Sequence, residues 1–155
     1  MPDIEFMREA TRLAADNVRS GGGPFGSVVV KDGEIIARGA NRVAQARDPT
    51  AHAEVVAIRE ACRLLDSFQL TGCDIYSSSE PCPMCLGAIY WARPERVFYG
   101  VGREVAAAAG FDDGFIYEEL ARPVADRSLS IRQLLVPEAR EPFDRWEALA
   151  DRVEY

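Results

Sequence analysis

Apolar residues that recur every three or four positions predict an amphipathic helix over residues 3 to 19. Asp3 stands in the N-cap position, and three consecutive glycines follow the last predicted turn. A second run with helical spacing begins at or just before His52 and continues to about Leu65. The first part of the chain therefore contains two helices that each present an apolar face to a core.

Between these helices, two β-rich runs are separated by the dipeptide Asp32-Gly33. Asp and Gly tolerate the positive φ angles of a two-residue type I′ turn, so the segment from residue 24 to 41 predicts a β-hairpin. Residues 41 to 51 show no periodicity and contain Pro49, which disfavours helix at the preceding residue. We predict a loop there.

The rest of the chain alternates short strands and helices. The pattern predicts a short strand at 74–77, a helix at 83–92, a buried strand at 96–101 and a helix at 104–109. Weaker patterns predict a helix near 115–120, a strand at 130–136 and a last helix from about 142 to 153. A hairpin followed by such units favours a mixed sheet with helices on both faces.

Length and composition favour one independently folding domain that covers residues 1–155. The chain has 155 residues, 48% hydrophobic and 28% charged, which is an ordinary globular balance. No stretch approaches the ~20 consecutive apolar residues of a membrane span, and the N-terminal MPDIEFMREA lacks the features of a secretion signal. We therefore expect a cytoplasmic protein with no membrane partner.

The charge argues against a nucleic-acid partner. The formal net charge is −7, from 18 basic and 25 acidic residues, and such a field repels phosphate backbones. Residues 103 to 155 alone carry 7 basic and 12 acidic side chains. The acidic excess is thus concentrated in the C-terminal third.

The candidate chemistry lies in one histidine and two of the four cysteines. Cys82 and Cys85 form a Cys-x-x-Cys motif, which suits a metal site or a redox pair at a helix start. Thirty residues upstream, His52 and Glu54 stand together at another predicted helix start. In a reducing compartment, metal ligands or free thiols are favoured over disulfides.

Two thiolates and one imidazole leave the fourth position of a tetrahedral zinc ion open for water, as in a catalytic site. A closed structural site would need a fourth ligand, for which Cys62 and Cys73 are the remaining thiols; their positions favour the core instead. From these residues alone, the prediction extends to a zinc hydrolase or lyase.

The segment His52-Ala53-Glu54, with Pro81-Cys82-Pro83-Met84-Cys85, resembles the motif of the zinc-dependent nucleobase and nucleoside deaminases, which share the cytidine deaminase-like fold. The resemblance extends over nearly the whole chain. It includes GGPFG, DPTAHAEVVAIR, SSSEPCPMCLGAIYWAR, AGFDDGFIYEE and the closing WEALADRVEY. These stretches are most similar to those of the bacterial members that act on guanine.

The resemblance implies an α/β fold with three α/β/α layers and a central mixed sheet of five strands. It also implies one Zn²⁺ per chain, held by His52, Cys82 and Cys85. Glu54 would act as the general acid-base group that takes protons from water and delivers one to the ring and a later one to the leaving amine.

Further residues match family positions that contact the base. Asn41 would hydrogen-bond the ring, while Phe25 and Trp91 would stack on it or form its walls. Asp113 would accept hydrogen bonds from the donor edge of guanine. Tyr155 matches an aromatic C-terminus that closes over the active site and that, in some members, comes from the partner subunit of a domain-swapped homodimer. The resemblance leaves room for the segment from about 125 to 155 to dock on a partner in this way.

The expected activity is the hydrolytic deamination of a small-molecule purine base, guanine, to xanthine and ammonia. Cytosine, isocytosine or ammeline are alternative free-base substrates. Adenosine in transfer RNA is less favoured, because the chain lacks basic tracks. A zinc-stabilised binding module without catalysis is the alternative from another class.

Overall fold

The computed structural model describes residues 3–155. Across this range the chain forms seven α-helices, four β-strands and two short 3₁₀ helices, at Val124–Asp126 and Pro137–Arg140. The strands are β1 (Gly26–Lys31), β2 (Glu34–Ala40), β3 (Cys73–Ser79) and β4 (Arg96–Val101). The helices are α1 (Ile4–Arg19), α2 (Val43–Ala46), α3 (Ala53–Leu65), α4 (Pro83–Ala92), α5 (Arg103–Ala108), α6 (Gly114–Ala121) and α7 (Glu141–Ala148).

The strands form one mixed sheet in the order β2-β1-β3-β4. The predicted hairpin is confirmed, because β1 and β2 are antiparallel and Asp32 and Gly33 have φ angles of 51° and 79°. The third strand pairs antiparallel with β1 and parallel with β4. The parallel pair is joined through α4, as a parallel connection requires.

Each face of the sheet is covered by helices, so the three-layer prediction is also confirmed. On one face, Val28, Val30 and Tyr76 form a buried cluster with side chains of α1. On the other face, the core includes Val29 and Ile75 together with residues of α3 and α4. Alternate residues of β1 and β3 thus pack into the cores on opposite faces of the sheet, because successive side chains of a strand point to opposite faces.

A close contact between β2 and the start of α3 depends on Gly39. A Cβ atom at this position would lie 2.1 Å from the Ala53 carbonyl oxygen and 2.6 Å from the Ala57 amide nitrogen. Both atoms belong to the helix backbone, which cannot move aside as a flexible side chain could. Glycine therefore lets the N-terminal turn of α3 lie directly on the sheet.

The strand directions bring the predicted site residues to one edge of the sheet. Because Gly26 pairs with Ala40 and Ser27 pairs with Ser77, the start of β1 lies beside the ends of β2 and β3. The end of β4 lies at the same edge, since β4 is parallel to β3. Ligands of α/β proteins commonly bind at the carboxyl ends of strands.

The prediction of a five-stranded sheet is wrong for this structure, which has four strands within residues 3–155. The expected strand at 130–136 forms neither strand nor helix. Its apolar side chains are exposed, with Leu134 at 90%, because no neighbouring strand satisfies its backbone or covers its side chains.

Three smaller expectations also differ from the structure. The predicted loop at 41–51 contains one turn of helix, α2. The strand β4 is largely exposed, not buried, because it is an edge strand of the sheet. Helix α7 ends at Ala148 and not near Val153.

The chain divides into two compact units, the first ending at Phe115 and the second running from Ile116 to Tyr155. Both core clusters belong to the first unit. In the second unit, no residue from 116 to 155 is buried. Among the described residues, no helix is long and apolar enough to cross a bilayer.

Candidate metal centre

Three potential metal ligands are carried by the starts of two helices. His52 is the N-cap residue of α3, with extended backbone angles. Cys82 is the N-cap of α4, and its sulfur accepts a hydrogen bond from the Cys85 amide at 3.5 Å. Pro83 fits the first turn of α4, where no backbone donor is needed. The positive ends of both helix dipoles therefore lie at the same place and favour thiolate ligands.

The three ligand atoms converge with spacings that suit zinc. His52 Nδ1 lies 3.5 Å from Cys82 Sγ and 3.4 Å from Cys85 Sγ. Tetrahedral zinc, with Zn–N and Zn–S distances near 2.0–2.3 Å, separates such ligand atoms by about 3.6 Å. All three atoms lie within 4.8 Å of one another. The residues are thus positioned to bind a metal ion through His Nδ1 and two sulfurs.

The protonation of the two thiols is strongly asymmetric without a metal. A hydrogen bond from Cys85, supported by His52, lowers the pKa of Cys82 to about 4. The same contact with Cys82, followed by burial and the Glu54 charge, raises the pKa of Cys85 above its ordinary value. The hydrogen bond to Cys82 also raises the pKa of His52. A cation would replace these protons as the partner of both sulfurs.

Glu54 lies beside this ligand set in the first turn of α3 and is 5% exposed. Its Oε2 atom is 3.4 Å from Cys85 Sγ, and its Oε1 atom accepts a 2.7 Å hydrogen bond from the Ser77 hydroxyl. Burial raises the pKa of Glu54 above its ordinary value. A carboxyl in this environment is suited to take up and release a proton.

Asn41 and Phe25 lie together at the open end of the hairpin. The Asn41 amide donates to the Phe25 carbonyl at 3.1 Å, and Asn41 itself is 8% exposed. The side-chain amide of Asn17 donates to the carbonyl oxygens of Gly23 and Asn41, both at 2.8 Å. Asn17 thus connects the glycine-rich loop to Asn41, a role that no motif in the sequence indicates.

The two aspartates of the AGFDDGF stretch have different environments. Asp112 is exposed, and its Oδ1 atom accepts the Gly114 amide hydrogen at 2.8 Å. Asp113 is half-buried, and burial, followed by the Cys82 charge, raises its pKa above the ordinary value. The neighbouring Phe111 packs edge-on against Phe25, with ring centroids 5.1 Å apart. This stretch therefore lies against the open end of the hairpin, and Asp113 is close enough to Cys82 to interact with its charge.

The other two predicted contact residues, Trp91 and Tyr155, are exposed. Trp91 is 63% exposed near the end of α4, six residues after Cys85, which corresponds to about 9 Å of helix. Tyr155 belongs to the second unit and is 70% exposed. Their contact with a bound ring stays a prediction.

The three-layer fold and the open set of one imidazole and two thiols define a zinc-dependent enzyme class. The chain belongs to the cytidine and deoxycytidylate deaminase zinc-binding family, whose pattern matches residues 1–101. The structure positions His52, Cys82 and Cys85 for the zinc ion that this family binds.

Similar proteins share more than the zinc motif. Guanine deaminase of Bacillus subtilis is 53% identical over 151 residues, which cover 97% of each chain. Its X-ray structure superimposes with a TM-score of 0.97 at 52% identity, covering 100% of this chain and 99% of that one. A tRNA-specific adenosine deaminase of Aquifex aeolicus is 45% identical over 94 residues, or 61% of this chain and 62% of the relative.

Replacement of one proposed ligand tests the metal site. We expect Cys82→Ala to lose most of its zinc, because an imidazole and one thiolate bind the ion too weakly to retain it through purification. Cys62→Ala is the matched control, since Cys62 is a half-buried thiol packed against the core of the same unit. It should keep one zinc per chain, as measured by elemental analysis of the purified protein. Full zinc occupancy in Cys82→Ala would contradict the assignment.

Proposed function

We propose that the protein catalyses the hydrolytic deamination of guanine, in which guanine and water give xanthine and ammonia. The observation that carries this proposal is the extent of the match to guanine deaminase of B. subtilis. It covers 97% of both chains and therefore includes the AGFDDGF stretch and the second unit. The similarity to the tRNA-specific enzyme covers only 61% of the chain.

We infer that His52, Cys82 and Cys85 hold the zinc ion. Bound zinc would act as a Lewis acid, which would lower the pKa of water and stabilise the negative charge that develops on the attacking oxygen. Glu54 is the proton carrier. Its Oε2 atom, on the side of Cys85, takes one proton from water and passes it to the ring nitrogen next to the attacked carbon. It then takes the remaining proton of the added hydroxyl group and passes it to the amine, so that the carbon–nitrogen bond breaks, ammonia leaves and the hydroxyl becomes the new carbonyl of xanthine.

The ring would be held at the edge of the sheet by residues from three loops. The Asn41 side chain can donate and accept hydrogen bonds, and its own backbone is fixed by Phe25 and Asn17. The Phe25 ring, held by Phe111, offers a flat apolar wall. Asp113 supplies the acceptor that suits the N–H donors of guanine, because it is half-buried and lies close enough to Cys82 to interact with its charge, whereas Asp112 is exposed.

Charge supports a free base over a nucleic-acid substrate. The net charge of −7 repels a phosphate backbone, and half-buried Asp113 adds a negative group near the ligand set. Cytosine, isocytosine and ammeline remain alternative free bases. A binding module without catalysis would carry zinc and show no turnover of any of them.

Substitution of the proton carrier tests the reaction. Glu54→Gln keeps the size of the side chain but cannot carry the proton, so ammonia release from guanine should fall at least ~100-fold. Zinc content and folding should stay at the parent level. The parent should also be assayed with cytosine, adenine, isocytosine, guanosine and ammeline, with guanine expected to give the highest kcat/KM. Parent-rate turnover by Glu54→Gln would refute the mechanism, and activity on cytosine without activity on guanine would refute the substrate.

A pair of neighbouring variants tests how guanine is recognised. Asp113→Asn should lower kcat/KM for guanine by roughly tenfold or more, because it removes a charged hydrogen-bond acceptor. Asp112→Asn is the control, because an Asn side-chain oxygen can still accept from the Gly114 amide. It should stay close to the parent in the same ammonia assay. A larger loss of kcat/KM in Asp112→Asn than in Asp113→Asn would show that Asp112, and not Asp113, contacts the base.

We also propose a homodimer in which the second unit docks on a partner subunit. This unit has no buried residue, yet it presents large apolar side chains, including Leu134 at 90% exposure and Leu135 at 70%. A segment of 40 residues without a core does not support its own folding, so these side chains need another surface. The outer edge of β4 is also unpaired among the described strands and could accept an added strand.

The oligomeric state and the C-terminal residue can be tested together. Light scattering should give about twice the chain mass of 17.1 kDa for the parent. Deletion of Tyr155 alone should retain that mass but lower kcat/KM for guanine, since the terminal ring would no longer close the site. A fully active species with the mass of one chain would exclude the shared-tail arrangement.

A further inference from the structure

Three buried serines, Ser27, Ser77 and Ser79, lie side by side on the sheet, and one of them contacts Glu54. Ser77 and Ser79 point to the same face of β3, two residues apart, and Ser27 is the residue paired with Ser77 on β1. All three are buried, with exposures of 0% for Ser27, 2% for Ser77 and 5% for Ser79. Burial of a hydroxyl group costs free energy unless the group is hydrogen-bonded, so the partners of each buried serine are informative.

The three hydroxyls differ sharply in their partners. The Ser27 and Ser79 hydroxyl oxygens have no hydrogen-bond partner among residues 3–155. The Ser77 hydroxyl donates to Glu54 Oε1 at 2.7 Å, across 23 residues of sequence. It is thus the one of the three serines that engages the carboxyl group beside the metal ligands.

This bond acts on one oxygen of Glu54 and leaves the other for chemistry. Oε1 is held by Ser77 from the sheet side, while Oε2 lies 3.4 Å from Cys85 Sγ, on the side of the ligand set. A carboxylate only accepts hydrogen bonds, so the Ser77 O–H must be the donor. When Oε2 gains a proton, Oε1 keeps its acceptor lone pairs, and the bond to Ser77 can persist throughout a proton transfer.

We propose that Ser77 is a positioning residue for Glu54, which fixes Oε1 on the sheet and so aims Oε2 at the reacting atoms. This inference rests on the proposed role of Glu54 in deamination. Two rigid elements hold the pair, since Ser77 is in the middle of the sheet and Glu54 is in the first turn of α3. A carboxylate tethered at one oxygen loses rotational freedom about its last bond, which favours the geometry that proton transfer needs.

Substitutions at position 77 separate the hydroxyl from the volume of the side chain. Ser77→Ala should lower kcat for guanine about tenfold or more, with a smaller change in KM, because the contact is made to the proton carrier and not to the substrate. Thr retains the hydroxyl, and Val has nearly the same shape without it. Ser77→Thr should therefore recover most of the parent kcat, whereas Ser77→Val should behave like Ser77→Ala. All three should retain one zinc per chain.

Two neighbouring serines provide matched controls. Ser27→Ala removes a buried hydroxyl on the same face that has no described partner, so kcat should stay near the parent value. Ser78→Ala removes a buried hydroxyl on the opposite face, which accepts the Gly26 amide hydrogen at 3.0 Å. It should lower the urea midpoint of unfolding without lowering kcat. A general loss of packing would instead affect kcat in all of these variants.

A thermodynamic cycle tests the contact independently of activity. In the parent, Ser77→Ala leaves a buried carboxyl oxygen without its donor, so the urea midpoint should fall. In a Glu54→Ala background the Ser77 hydroxyl has lost its partner, and the same substitution should have little effect. Equal midpoint shifts in both backgrounds, or equal kcat values for Ser77→Thr and Ser77→Val, would overturn the inference. A parent with no turnover of guanine would instead refute the proposed function, while the cycle would still decide whether the contact exists.

Discussion

The site depends on one geometric constraint, that the first turns of α3 and α4 meet above the same edge of the sheet. His52 begins one helix and Cys82 begins the other, and their side chains come within 3.5 Å. This approach requires α3 to lie very close to β2, which Gly39 permits. Without that contact, the imidazole and the thiols would lie on separate elements with no shared centre.

The same convergence concentrates negative charge where little water is available. Glu54 Oε2 lies 3.4 Å from Cys85 Sγ, the ligand atoms of His52, Cys82 and Cys85 lie within 4.8 Å of one another, and Glu54 is only 5% exposed. Two helix starts offset part of this charge, but only part. Protons shared among these groups, or a divalent cation, must neutralise the rest of the negative charge. Metal binding and the folding of this edge are therefore coupled through electrostatics as well as through coordination.

Much of this arrangement could be predicted from the sequence because its signals are local. The Asp32-Gly33 turn, the helical periodicity after His52 and the Cys82-x-x-Cys85 spacing each specify their own geometry. The partner of Glu54 could not be found in this way, since Ser77 meets it only through the stacking of β3 under α3. The alternation of β3 places Ser77 on the core side, and a buried serine opposite a helix start was the available signal.

The predicted strand at 130–136 failed for a related reason. Its residues have the apolar character of a strand, but a strand forms only beside a hydrogen-bonding neighbour, and periodicity does not show whether such a neighbour exists.

The different environments of Asp112 and Asp113 also arise from contacts with parts of the chain that are distant in sequence. Asp112 accepts the Gly114 amide hydrogen while Asp113 is half-buried near Cys82, and local patterns do not distinguish two adjacent identical residues, so only the family resemblance pointed to Asp113.

Helix starts and connecting segments contribute different parts of the site, and this difference affects how the protein can evolve. The metal ligands and Glu54 are fixed by helix starts packed on the sheet, whereas Asn41, Phe25 and Asp113 come from connecting segments. Connecting segments tolerate substitution better than core elements do. If these residues bind the ring as proposed, mutations there can alter which ring is accepted while the metal ligands, the proposed proton carrier and the stability of the fold stay intact. A family built on this plan can diversify its substrates without having to reinvent its chemistry.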